Sequence, residues 1–282
     1  MNRHTLLILF AFVITTSLFF ACGGGGGDDD DDSGDDDASD DDDDDVADDD
    51  VSGDVTVGNI STGECLDGAG KAEPWDPTAD PTNVVEVTWQ DGVLQIDDRF
   101  AYVNCGVELV VTATLESGTL TVTETDNGTP ADCVCPFNFH YEISDITANQ
   151  ITLVVNRAGE GGFQVAELVL PLGDANKKWF IPFVEVFMAT GGTSATDPVI
   201  LKYAACNLYH LEDQQFFVAN QGSNYFVYGY DWFDIDNPGD FVPTCQMPVD
   251  VELGALASGS YLFGAPGYED DWYMMTATLD IP

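Results

Sequence analysis

The chain has 282 residues, with 51 Asp and Glu against 7 Lys and Arg, a formal net charge of −44. Such a balance excludes a nucleic-acid-binding role, which needs clustered Lys and Arg to neutralise phosphates, and equally excludes docking on an anionic lipid surface. Apolar residues make up 44% and aromatic residues 11% of the chain, enough for a packed core, so the acidity belongs to a folded protein with an unusual surface.

The first element, residues 1–21, is a signal segment. Arg3 supplies a short positive region, and Leu6 to Ala21 form an apolar stretch interrupted only by Thr15, Thr16 and Ser17. At about sixteen residues it is short for a membrane span and has the layout of a secretory signal peptide. Small Ala21 stands before Cys22, with Leu18, Phe19 and Phe20 ahead of it. This arrangement resembles the lipobox of bacterial lipoproteins, in which the cysteine becomes the first mature residue and is acylated. The resemblance implies lipidation at Cys22, a membrane partner reached through that lipid, and a cell-envelope location at the surface of the outer membrane.

Residues 22–54 follow as a linker. Gly23 to Asp54 holds eighteen acidic residues and no basic one, so it has nothing to bury, and its like charges extend it as a disordered tether. Its Gly/Asp composition resembles the tethers of lipoproteins from marine and deltaproteobacteria-like organisms. Carboxylates are the hard oxygen ligands calcium prefers, but the run lacks the spacing and turn glycine of a preorganised site.

The remainder, 55–282, carries 33 acidic and six basic residues. The charges are scattered, which fits a surface adapted to high salt better than a face for one cationic partner. Strand signals recur through it: Val84–Trp89, then Asp91-Gly92 as a hairpin turn before Val93–Asp97, and Val107–Glu116 and Thr119–Thr125 around Ser117-Gly118. In 137–146, Phe137, Phe139, Tyr141 and Ile143 take one face while Asn138, His140 and Glu142 take the other. Further strands are expected at 150–156, 163–170, 179–189, 199–211, 215–220, 225–230 and 271–281. No stretch shows sustained helical periodicity. The expected fold is all-β: a disulfide-braced β-sandwich, divided near Pro171–Asn176 into two immunoglobulin-like domains, 55–170 and 171–282, with one large sandwich as the alternative.

Six cysteines, Cys65, Cys105, Cys133, Cys135, Cys206 and Cys245, remain after Cys22. An even number in an exported chain reads as disulfides. Cys133 and Cys135 are poorly placed to bridge each other, so each is expected to pair with Cys65 or Cys105, in an order left open, and Cys206 with Cys245. The Cys133-Val-Cys135-Pro136 run ahead of an alternating strand resembles a feature of exported bacterial β-domains.

Motifs for chemistry are scarce. The mature chain has two histidines, His140 and His210, and neither a G-x-S-x-G elbow nor an H-E-x-x-H helix. Asp231, Asp234, Asp236, Asn237 and Asp240, around an Asn-Pro-Gly turn, would supply oxygen ligands to calcium. Tyr225, Phe226, Tyr228, Tyr230, Trp232 and Phe233 precede or interleave them; rings beside carboxylates suit a sugar, although strand alternation sends at least half of them inward. The expected role is non-catalytic: structural, adhesive, or binding a protein or glycan. The alternatives are a polysaccharide hydrolase working through paired carboxylates and a calcium-dependent adhesin.

Overall fold

The computed structural model describes residues 53–66, 83–158, 162–206, 208–210, 214–240, 245–268 and 272–282. The signal segment, Cys22 and all but the last two residues of the tether lie outside the described residues. Residues 47–282 form one compact unit. Among the described residues all regular structure is strand: β1 Thr56–Thr62, β2 Val84–Gln90, β3 Val93–Asn104, β4 Leu109–Glu116, β5 Thr119–Asp126, β6 Val134–Ser144, β7 Gln150–Arg157 and β8 Phe163–Pro171. The second half adds β9 Lys177–Phe180, β10 Phe183–Gly191, β11 Pro198–Cys206, β12 Gln215–Gln221, β13 Asn224–Asp234, β14 Val249–Ala255, β15 Gly259–Tyr268 and β16 Trp272–Ile281.

The hairpins form where turn chemistry places them. Asp91 and Gly92 both take positive φ (52° and 81°) between the paired residues Gln90 and Val93, and Ser117 and Gly118 (47° and 73°) do the same between Glu116 and Thr119. Two left-handed residues in a two-residue loop match the right-handed twist of the flanking strands. Three strands are additional to those expected from the sequence: β1, an exposed edge strand, β14, whose Val249–Leu253 alternates over only five residues before Gly254, and β15, interrupted by glycine.

The strands form a nine-stranded sheet in the order β1-β6-β3-β2-β9-β13-β15-β16 with β12 also on β13, and two smaller sheets, β4-β5-β7-β8 and β10-β11-β14. The break expected at Pro171–Asn176 does not divide the chain into separate sandwiches: β9, just after it, pairs with β2 on one side and β13 on the other. Trp179 on β9 is buried in the same core as Val87 and Trp89 of β2 and Tyr228 of β13. The chain therefore has the single-unit organisation, because a short central strand joins its halves.

There are nevertheless two main cores, one on each face of the central sheet. Phe226, Tyr228 and Tyr230 of β13 join Leu120, Val122, Leu153 and Leu168 of one small sheet. Val227, between them, joins Val199, Leu201 and Tyr203 of the other. Successive residues of a strand point to opposite faces, so β13 serves both cores at once. Gly229 is required there: a Cβ would lie 2.7 Å from the Tyr203 ring.

The disulfides are Cys65–Cys135, Cys105–Cys133 and Cys206–Cys245. The first two settle the order left open by the sequence, and Cys135 sits with Ala101, Phe137 and Phe139 in a third small core. The free edge of β8 is covered by a side chain: Val169 N–H donates to Gln215 Oε1 and Gln215 Nε2 donates to the Val169 carbonyl, both at 2.7 Å. A carboxamide here occupies the backbone groups that a foreign strand would otherwise use.

Candidate functional site

The carboxylates of the calcium loop suggested by the sequence do not form a tight cluster. No three of Asp231, Asp234, Asp236 and Asp240 bring carboxylate oxygens within 4.8 Å of one another. Asp231 is fully buried on β13 and accepts from the backbone N–H groups of Tyr209 (2.5 Å), Trp232 (2.8 Å) and His210 (3.2 Å). Burial raises its pKa, while those N–H donors and His210 pull it down. Asp234 Oδ1 accepts from the N–H groups of Asp236 and Asn237, closing the turn, and Asn176 Nδ2 donates to Asp236. Asn237 and Asp240 are exposed. Among the described residues, the trio of possible ligands that does converge is Glu185, Cys206 and Cys245, and its two sulfurs are bonded to each other.

The aromatic run divides by strand parity. Phe226, Tyr228 and Tyr230 are core residues. Trp232 stacks on His210 at 4.0 Å and has the Lys177 ammonium 5.5 Å from its ring centre. Phe233 joins Phe180 and Tyr209 in a half-buried trio with centroid separations of 4.9–6.1 Å.

One ionic cluster, absent from any local sequence pattern, lies in the core. Arg157, at the end of β7, donates to Glu124 of β5 through Nε (3.1 Å) and Nη2 (2.8 Å), and to Asp98 of β3 and Asn83. Tyr141 of β6 donates to the other Glu124 oxygen at 3.0 Å. One cation faces two carboxyls with side-chain exposures of 0% and 1%. Burial pushes the Asp98 carboxyl well above the usual carboxylate range; Arg157 opposes the rise and Glu124 adds to it. The second oxygen of Asp98 is buried with no hydrogen-bond partner among the described residues. The backbone bends to admit the cluster: the register of β3 on β6 shifts between Asp98 and Ala101, and Phe100 and Asn83 take positive φ (57° and 51°). Beside it is a cavity of about 30 Å³, lined by Val103, Leu109, Phe139, Glu124 and Arg157 among others. That is smaller than most ligand sites, and its polar groups are already paired. The cluster is a structural centre.

The opposite face of β1, β6, β3 and β2 has no second sheet packed on it among the described residues. Register partners share a face, so two rows can be read across the sheet. Ser61, His140, Asp97 and Glu86 form one; Gly58, Glu142, Gln95, Thr88, Lys178 and Phe233 form the other. All the polar members beyond β1 are half-buried except Glu86, which is 9% exposed. His140 Nδ1 is 2.9 Å from Asp97, and its Nε2 is 3.9 Å from Glu142. Glu86 lies between Arg99 (2.9 Å) and Lys178 (3.8 Å). Every carboxylate of the two rows therefore has a cationic or imidazole neighbour. The sequence placed His140 and Glu142 on a polar strand face, but nothing local marked the strands that would extend that face.

No family model, no curated protein and no solved structure matches the chain.

Proposed function

We propose that the chain is a lipid-anchored protein of the bacterial cell envelope, whose β unit has a non-catalytic binding or adhesive role at the cell surface. The observation that carries this reading is the order of segments at the N-terminus: an apolar stretch, Ala21-Cys22, five glycines and an aspartate-rich run. The three disulfides add support, since such bonds persist in oxidising compartments outside the cytoplasm. Fully extended, the 32 residues Gly23–Asp54 would reach roughly 100 Å, so the unit they carry stands clear of the membrane. Stable anchoring needs more than one acyl chain, which fits acylation of both the thiol and the amine of Cys22.

The test is the intact mass of the protein extracted from membranes. The expected species starts at Cys22 and carries acyl mass, and Cys22→Ala moves the protein to the soluble fraction. A membrane-extracted chain with an unmodified Cys22, or one retaining residues 1–21, would overturn the reading.

A further inference from the structure

We infer that the open face of the central sheet binds an uncharged oligosaccharide lying across the strands. This rests on the proposed binding role and names its ligand class. The longer row runs from β1 to β13 across five inter-strand gaps, about 24 Å at ~4.8 Å each, and the shorter from β1 to β2; the longer one suits a chain of sugars better than a single one. The rows mix groups that accept (Asp97, Glu142, Glu86) with one that donates (Lys178) and others that do both (Gln95, Thr88, His140), and Arg99 donates beside them to Glu86. A polyhydroxylated ligand offers donors and acceptors at similar density, and each hydroxyl can serve as either. At the β13 end, the half-buried rings of Phe180, Tyr209 and Phe233 supply the apolar surface on which the C–H face of a sugar ring packs.

Charge decides against other occupants. The unit as a whole has 33 acidic and six basic residues and repels anions, whereas this face pairs each carboxylate of the rows with Arg99, Lys178 or His140. Among the other described cations, Arg157 is buried, Lys177 is bonded to the Pro171 carbonyl and Lys202 to Asp250. A locally balanced face recognises through hydrogen bonds rather than through its field. Nor does it resemble a protein interface, whose centre is depleted of charge and anchored by apolar groups. Of the large exposed apolar residues, Leu66, Val134, Val169, Met188, Met247 and Tyr268 lie outside the two rows, and Ile60 stands on β1 at their outer edge.

The experiment is calorimetric titration of the full chain, in detergent, with cellohexaose, maltohexaose and xylohexaose as neutral probes and polygalacturonate as the anionic control. At least one neutral probe is expected to bind saturably. Gln95→Ala and Glu142→Gln, both on half-buried surface positions, are expected to weaken it about tenfold each, while Met247→Ala leaves it unchanged. The inference is overturned if none of the three neutral probes binds, if the face variants bind as the parent does, or if polygalacturonate binds more tightly. Self-association in sedimentation that the same variants abolish would also overturn it, by showing a second copy of the chain on this face. Cys22→Ala is expected to bind the sugar unchanged, so loss of the anchor and loss of the ligand are read separately.

Discussion

Replacing Arg157 with Met is the sharpest test of how this β unit is held together. The guanidinium makes hydrogen bonds to Glu124, Asp98 and Asn83, and its removal leaves two carboxyls at 0% and 1% side-chain exposure without their cation. Breaking a buried ion pair from one side costs about 3–5 kcal/mol, a large share of the 5–15 kcal/mol typical of a folded domain. For a unit of this size that is a fall in Tm of roughly 6–20 °C. The loss depends on pH. Without Arg157, the buried Asp98 carboxyl loses the cation that opposes the rise of its pKa, so acidification narrows the gap between variant and parent. The assay is denaturant unfolding followed by tryptophan fluorescence, disulfides intact, at pH 5 and pH 8. A loss below about 1 kcal/mol at both pH values, against the 3–5 expected for a buried pair, would refute the network as a structural centre. Replacing Arg157, Asp98 and Glu124 together by apolar residues is expected to cost much less than Arg157→Met alone, because no uncompensated charge is then buried.

Asp98 carries a second prediction. Its folded pKa stands above the ordinary value of 3.8, chiefly through burial. The stability it contributes is therefore full below pH 3.8 and is lost as pH rises through the raised value. Asp98→Asn should flatten that stretch of the stability–pH profile, and an unchanged slope between pH 4 and pH 8 would count against a raised Asp98 pKa. Gly229→Ala places a Cβ 2.7 Å from the fully buried Tyr203 ring, an overpacking expected to cost about 1–3 kcal/mol in urea unfolding; a variant as stable as the parent would mean that Tyr203 is not seated over β13. Non-reducing peptide mapping should return Cys65–Cys135, Cys105–Cys133 and Cys206–Cys245. Loss of the first, which closes a 70-residue separation, should destabilise more than loss of the second, at 28, by about 4.4 against 3.6 kcal/mol on chain entropy alone. The reverse order in thermal unfolding would point to native-state effects instead. Asp231→Ala removes the acceptor for the Tyr209, His210 and Trp232 N–H groups, and faster amide exchange at those three residues is the expected readout.

Alternation and turn chemistry act over a few residues, so the features they dictate were legible in the chain itself. The β6 pattern placed Phe139, Tyr141 and Ile143 inward and His140 and Glu142 outward, as the structure has them. Asp91-Gly92 and Ser117-Gly118 turn where left-handed residues are needed. The spacing of Cys133 and Cys135 excluded a bridge between them, but not which partner each takes, because Cys65 and Cys105 are both brought alongside only by folding.

By itself, then, the sequence determined an all-β, disulfide-braced unit behind an acidic run, with the inward side of each clearly alternating strand. Only the tertiary structure decided what lies on either side. Whether the chain forms two sandwiches or one depended on β9, four residues that hydrogen-bond to strands from both halves. Arg157 meets Asp98 and Glu124 from 59 and 33 residues away. The polar rows on the open face draw on β1, β6, β3, β2, β9 and β13, whose order in space differs from their order in the chain. A strand's own residues set which way each side chain points, whereas its neighbours are chosen by burial and backbone hydrogen bonding over the whole unit.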